Sequence, residues 1–564
     1  MHFNDFPYQR PEIETITSQL SALLKQFQQA QDAEAQIQIF RDIESLRMEF
    51  DSMHNLCMVR HTIDTRDEFY EKENAFFDSN LPLMEDITSQ LYRAVLASPF
   101  RADLEAAFGK QFFVIAELTV KTFQPSILND LKEENRLKSE YVKLMASAQL
   151  EFDGKKVNLS SIKPYEMVED RGVRQAAAET KWAFYDEHEA QIDDIFDQLV
   201  KVRTRMAKSL GYENFIELGY ARMLRSDYNA KMAAQFRDQI WQHVVPVATK
   251  LKTQQAKRIG VDQLKYYDEE FKFKSGNPKP QGEPDWIIEQ AKTMYQELSG
   301  ETHAFFAHMT ENALLDLLAK DGKAPGGYCT YIGKYKAPFI FSNFNGTAGD
   351  IDVLTHEAGH AFQVYSSKDQ IISEYNWPTY EACEIHSMSM EFFTWPWMNL
   401  FFKEQTDKYK FAHLSGGLTF LPYGVAVDEF QHFVYQNPEA TPAERDEAWR
   451  NIERKYTPHR NYEGNDYLET GGGWKRQRHI FEVPFYYIDY TLALICAYQF
   501  WMRDEQNHEN AWSDYVKLCQ LGGSRSFLDL VEYANLKSPF EPGVMEEIIQ
   551  HIDGWLESVD DSKF

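Results

Sequence analysis

The chain has 564 residues, enough for more than one ordinary domain and for a large core. A composition that is 43% hydrophobic and 14% aromatic excludes a disordered chain. With 87 acidic against 59 basic residues the net charge is −28, which disfavours nucleic acid and anionic membranes as partners and reads as a solvated acidic surface.

The first residues, MHFNDFPYQRPEIETITSQL, lack the basic start and continuous apolar core of a signal peptide, so a cytoplasmic protein is expected. From Pro11 to about Leu218 the pattern is almost continuously helical. Ile16, Leu20, Leu23, Leu24 and Phe27, for example, fall on one face of a helix. One interruption is 149–160, where Leu150 and Phe152 alternate into Asp153-Gly154 and Val157 and Leu159 alternate out, which predicts a β-hairpin. The polar stretch 272–284 reads as a loop dividing lobes. Residues 326–347, aromatic and β-branched and closed by Asn345-Gly346, predict two short strands, with Phe339 and Phe341 inward and Phe344 a further candidate. Five cysteines, Cys57, Cys329, Cys383, Cys496 and Cys519, are odd in number and far apart, which predicts reduced thiols.

The sequence DIDVLTHEAGHAFQVY follows at 350–365. Leu354, Ala358, Ala361, Phe362 and Tyr365 recur at helical spacing, so His356 and His360 lie one turn apart on one face. Two imidazoles so placed can reach one zinc ion, and Glu357 can take a proton from a water on it. Among 16 histidines the motif alone is equally compatible with a hydrogen-bonded helix face. Two details favour the metal. Gly359 inside a helix costs about 1 kcal/mol relative to Ala, which predicts a close backbone neighbour. Burying two imidazoles and a carboxylate without a partner is also expensive.

A hydrolytic zinc site usually has three protein ligands. In the next helical segment, YEACEIHSMSMEFFTW at 380–395, Glu384 and Glu391 share a face among apolar neighbours where an unpaired carboxylate is costly. Glu384 reads as the third ligand and Glu391 as an acceptor behind the ligands, with Glu381 and Glu391 the other candidates for the ligand. Thr441-Pro442 with Glu444 predicts a capped helix start, and Gly471, Gly472 and Gly473 a flexible loop suited to covering substrate. Near the C-terminus, Pro484 suits a helix start, after which Tyr486 and Tyr490 share a face, with His479 in the preceding loop and Tyr487 in the core. The apolar run 483–501 carries Asp489, Gln499 and four tyrosines, which suits a core helix better than a membrane span.

The NFNGT lead-in, HEAGHAFQ, EIHSMSMEFF and RHIFEVPFYYIDY together resemble the thimet-oligopeptidase-like metallopeptidases, and most closely their bacterial branch of oligoendopeptidase F and Pz-peptidase. The resemblance spans about residues 326 to 490. It implies a mainly α fold, a large two-lobed helical body enclosing a deep channel, with a small β-sheet beside the zinc helix. It implies one zinc ion held by His356, His360 and Glu384, with Glu357 as general base, and it favours Tyr486 and Tyr490 hydroxyls that point into the cleft. His479 and one of these tyrosines would stabilise the oxyanion.

The expected function is therefore a zinc endopeptidase acting on short oligopeptides, with no nucleic-acid or membrane partner. Residues 1–190 are expected to form part of the channel wall and 191–564 the catalytic region, with lobes able to interleave. The peptide is expected to pair with the strand near Phe341 to Asn345. Two alternatives stand beside this reading: a metallocarboxypeptidase using Arg476 or Arg478 to hold a terminal carboxylate, and a peptide-binding protein with a structural metal. Cobalt and manganese also suit imidazole and carboxylate ligands.

Overall fold

The computed structural model describes residues 1–320, 322–324 and 326–564. Helices dominate it from Ile13–Gln29 to Val544–Ser558. In the first helix Leu20, Leu24 and Phe27 are buried and Ile16 and Leu23 half-buried, the stripe that the spacing predicts. Asp32 and Asp67 accept hydrogen bonds from the first-turn amides of the next two helices, satisfying donors that have no partner within the helix. At the expected hairpin, β1 (Leu150–Phe152) pairs antiparallel with β2 (Lys155–Val157). Asp153 and Gly154 between them have φ of 52° and 70°, the left-handed pair that a two-residue turn of matching twist requires.

The second sheet has three strands where two were expected: β3 (Leu315–Leu318), β4 (Tyr328–Ile332) and β5 (Ala337–Phe344), in the order β3-β5-β4. β3 lies parallel to β5 and β4 antiparallel to it. The leucine-dense β3 follows the helix Gly300–Glu311 almost at once and has no clear alternation of its own. Its pairing with β5 makes it a strand. β5 is central, so Ile340 is buried along with Phe339, Phe341 and Phe344, and the two-faced burial replaces the expected alternation.

This topology bears on the expected docking strand. At Phe341 the β5 backbone is paired on both sides, with Asp316 and with Tyr328, whereas the pairing with β4 stops there and does not reach Ser342 to Asn345. The free edge next to the histidines belongs to β4, where Gly327, Tyr328 and Cys329 line a cavity.

The histidine helix, Gly349–Ser366, leaves the sheet through a turn in which the Asp350 carboxylate accepts from the amides of Asn345 and Gly346 at 2.9 and 2.8 Å. It packs on the carboxylate helix, Tyr380–Phe393. Gly359 marks the closest approach: a Cβ there would lie 2.6 Å from the Ser387 Cα and 2.7 Å from the His386 carbonyl oxygen. The carboxylate helix packs in turn on the tyrosine helix, Tyr487–Gln506, most of which is buried. Asp489 within it is ion-paired to Arg225. Among the described residues no helix is long and apolar enough to cross a membrane, and all five cysteines are free.

Three local expectations are corrected near the C-terminus. Pro484 does not open the tyrosine helix, which begins at Tyr487 after Phe485 takes a φ of 69°. His479 lies in a short helix of its own, Arg478–Glu482, instead of a loop. Gly471, Gly472 and Gly473 are buried in a tight turn, and a Cβ at Gly471 would lie 2.0 Å from the Asp446 carbonyl oxygen. Crowding accounts for Gly471 and for Gly472, whose Cβ would lie 2.4 Å from the Tyr467 ring, and a free substrate-covering loop is not what the three form.

Candidate metal centre

His356 and His360 project from one face of their helix toward Glu384 on the next, and one ligand atom from each of the three lies within 4.8 Å of the others. Glu384 Oε2 is 3.2 Å from His356 Nε2 and 3.5 Å from His360 Nε2. Ligands about 2.0–2.2 Å from a tetrahedral zinc stand roughly 3.3–3.6 Å apart, so the spacing suits that ion. Burial acts to raise the Glu384 pKa, but His360 and His356 outweigh it and hold the carboxyl well below its usual range. Ser387 Oγ donates to Oε2 at 2.9 Å, and the Tyr486 hydroxyl donates to Oε1 at 2.6 Å.

The ring of His356 is oriented from behind. Its Nδ1 donates to Glu391 Oε1 at 2.7 Å, leaving Nε2 free of a proton and able to coordinate. The other oxygen of Glu391 accepts from His413 Nε2, also at 2.7 Å. His413 comes from the long helix Thr406–Gln436, and no motif in the sequence singles it out. Glu381 lies outside the cluster, near Asp489 and Arg225, where burial and then Asp489 push its carboxyl well up.

Glu357 is buried beside the three ligand atoms, and among the described residues its Oε2 has no hydrogen-bond partner. Burial raises its pKa against the opposing pull of His360 and His356. An orphaned carboxylate oxygen at this place is what a proton acceptor for a metal-held water requires, so the donor set and its surroundings fit a catalytic zinc ion.

A second cluster of metal-ligating type, Glu189, Asp193 and Asp446, is already filled by the chain itself. The Lys475 ammonium sits among the three carboxylates at 2.7, 3.1 and 2.8 Å. Burial pushes Asp193 up to about 6 even so. The cluster fixes the glycine turn that leads to His479, and Trp474 Nε1 adds a 2.7 Å bond to Asp446.

His479, Tyr486 and Tyr490 converge, with ring centroids 5.7 Å apart for His479–Tyr486 and 4.8 Å for Tyr486–Tyr490. The Tyr423 hydroxyl donates to Gln477 Oε1 at 2.8 Å, which turns the Gln477 amide nitrogen toward His479 Nδ1, also at 2.8 Å. Nδ1 therefore accepts, and the proton sits on Nε2, 3.4 Å from the Tyr490 hydroxyl. Burial, reinforced by Arg478, lowers the His479 pKa to about 4, so the ring is a neutral donor at pH 7. Tyr487 packs on Phe420 and Tyr423, half-buried.

Tyr486, Tyr490, Glu357 and the three ligands line a cavity of about 710 Å³ together with the Gly327–Cys329 edge. Thr88, Thr119 and Leu224 line both it and a neighbouring cavity of about 1060 Å³ in the N-terminal helices, so the space continues past the site.

Residues 165–549 match the model of Peptidase family M3, and residues 3–123 that of the Peptidase M3 N-terminal domain. The chain belongs to peptidase family M3. Within this family it is similar over 99% of its length to the structure of a Pz peptidase A with inhibitor, at 58% identity and a TM-score of 0.97, covering all of that chain. A Bacillus anthracis str. Ames chain provisionally described as an oligoendopeptidase F is 54% identical over the full length, covers to 99%, and has a TM-score of 0.92. An oligoendopeptidase F homolog of Borreliella burgdorferi is 26% identical over 231 residues, 38% of this chain and 37% of that relative's length. These place the family member in the oligoendopeptidase F and Pz-peptidase branch. An Enterococcus faecium oligoendopeptidase F shares 14% identity at a TM-score of 0.61, a likeness of fold.

Proposed function

We propose that the chain is a cytoplasmic zinc endopeptidase that hydrolyses internal bonds of short, unstructured oligopeptides. The observation that carries this reading is the partnerless Glu357 oxygen beside the His356, His360 and Glu384 ligand atoms, at one end of a free strand edge. Bound to His356, His360 and Glu384, zinc supplies a Lewis acid that polarises the scissile carbonyl and acidifies a water. Glu357 accepts the proton of the attacking water at Oε2 and delivers it to the leaving amine. His479 Nε2–H and the Tyr490 hydroxyl are the donors for the developing oxyanion, with Tyr486 exchanging its bond to Glu384 for the same task. The peptide backbone pairs with the Gly327–Cys329 edge, which accepts many side chains.

Residues 1–190 are the channel wall in this reading, a role supported by Thr88, Tyr92, Gln111 and Thr119 on the zinc-side cavity. Residues 191–564 are the catalytic region. A purely structural metal fits poorly, because such sites are closed by four protein ligands and the neighbouring Cys383 thiol is engaged with the Pro378 carbonyl instead. The test is the zinc-loaded Glu357→Gln variant. It should keep its metal and its peptide affinity and lose hydrolysis by several orders of magnitude, and loss of the metal in that variant would make Glu357 a ligand and overturn the assignment.

A further inference from the structure

Arg476 ends the short 3-10 turn Gly472–Arg476, directly before the helix that carries His479. It is exposed, yet protein surrounds it closely enough for burial to act on its ionisation. Its guanidinium carbon lies 5.5 Å from the Trp182 ring and 5.6 Å from the Tyr423 ring. Among the described residues it has no carboxylate partner, although the chain carries 87 acidic residues against 59 basic ones. Its neighbours are all neutralised: Arg460 by Glu269 and Glu453, Lys475 by its three carboxylates, Lys181 by Glu166, and Arg478 by Glu482. The groups acting most strongly on Arg476 besides burial are three phenols and the like charge of Arg460, none of them an anion at neutral pH.

We propose that Arg476 is a specificity-determining residue that receives a carboxylate of the peptide substrate. Cation–π contact with two rings holds the guanidinium without using its N–H donors, which suit a two-pronged bond to a carboxylate. The position is tied to the chemistry. Tyr423, which packs against Arg476, also positions His479 through Gln477, and its ring is 5.9 Å from that of Tyr487, itself 5.0 Å from His479. An extended peptide advances about 3.3–3.6 Å per residue, so no more than about five residues separate the carboxylate from the part bound at His479. A terminal carboxylate held there fixes cleavage at an internal bond a short, constant distance from the C-terminus, where a carboxypeptidase would hold it one residue away. This inference rests on the proposed peptidase activity, and an acidic side chain would offer Arg476 the same chemistry.

The experiment uses a matched peptide set: one ending in a free acid, the same peptide amidated, and a series of amidated peptides carrying one glutamate at successive positions. Each is hydrolysed by the zinc-loaded wild type, Arg476→Met and Arg476→Lys, and titrated calorimetrically against zinc-loaded Glu357→Gln with and without Arg476→Met. The wild type should favour a carboxylate-bearing peptide over the plain amide by about 10- to 100-fold in kcat/KM, chiefly through KM, as loss of a charge-assisted hydrogen bond predicts. Preference for the free acid assigns the C-terminus, and preference for one glutamate position assigns a side-chain subsite. Arg476→Met should bring acid and amide within about twofold of each other, and Arg476→Lys should restore part of the gap. Equal treatment of acid, amide and glutamate peptides by the wild type, or a preference that survives in Arg476→Met, overturns the proposal. Should no peptide be cut by the wild type, the peptidase reading falls, and the calorimetric comparison of acid and amide still decides for or against the carboxylate anchor.

Discussion

Glu391 accepts from His356 on one oxygen and from His413 on the other, each at 2.7 Å, so a single carboxylate couples the ring of a proposed zinc ligand to a residue on a helix that reaches the site from elsewhere in the chain. The consequence concerns metal affinity. Replacing Glu391 by Ala removes the acceptor that fixes the His356 ring, and partners of this kind are worth about 10- to 100-fold in metal binding. His413→Ala should cost less, because Glu391 keeps its bond to His356. Competition of each purified variant against a chromophoric chelator measures both. Undiminished affinity in Glu391→Ala would mean that the helix alone orients the ring.

The two tyrosines should separate in their effects. Tyr490 is free to donate toward an oxyanion, and Tyr490→Phe should lower kcat by roughly 10²-fold or more with KM little changed. Tyr486 donates to Glu384 Oε1, the second oxygen of the proposed third ligand. Tyr486→Phe should therefore weaken zinc binding as well as lower kcat. Steady-state kinetics with metal titration on both variants provides the check, and wild-type turnover in both would return these rings to the core.

A pH experiment follows from His479. Burial and Arg478 lower its pKa to about 4 from 6.5, disfavouring the charged ring. The sign is that of a depressed base: the folded ring stays neutral down to about pH 4, and any stability linked to it is lost as pH falls from 6.5 toward 4. Between pH 5 and 9 the activity profile should thus show no limb belonging to His479. Arg478→Gln removes the like charge and should move the titration upward. Carbon-13 NMR of labelled histidine reads it directly, and a wild-type His479 titrating between pH 6 and 7 would contradict the neutral-donor assignment.

Much of the centre was legible because it is local. His356 and His360 are one helical turn apart, and Glu384 and Glu391 two turns apart, so periodicity alone puts each pair on one face. What stayed hidden depends on distant partners. His413 is one residue in a 31-residue helix, and only the fold brings it to Glu391. β3 becomes a strand by pairing with β5, while β4 covers the other side of β5 only as far as Phe341, where the expected docking stretch begins. The three glycines before His479 suggest mobility by composition, but they lie in a buried turn where Asp446 crowds Gly471 and Tyr467 crowds Gly472.

Gly359 offers a test of how tightly the geometry of the site depends on the helix crossing. In isolation Gly→Ala within a helix gains about 1 kcal/mol. Here the new methyl would meet the Ser387 Cα at 2.6 Å and the His386 carbonyl oxygen at 2.7 Å, both backbone atoms of a helix packed on its far side by the tyrosine helix. Neither can turn aside as a side chain would, and overpacking of this kind costs about 1–3 kcal/mol. The clash should win, making Gly359→Ala less stable by up to about 2 kcal/mol. The strain is relieved by moving the two helices apart, and His356 and His360 ride on one while Glu384 rides on the other. Zinc affinity should accordingly fall in Gly359→Ala, whereas Gly260→Ala, at a helix end remote from the site, should destabilise the fold through its positive φ of 77° and leave affinity unchanged. Denaturant titration paired with metal competition on the two variants distinguishes them. Equal zinc affinity in both would show that the ligands do not depend on this crossing.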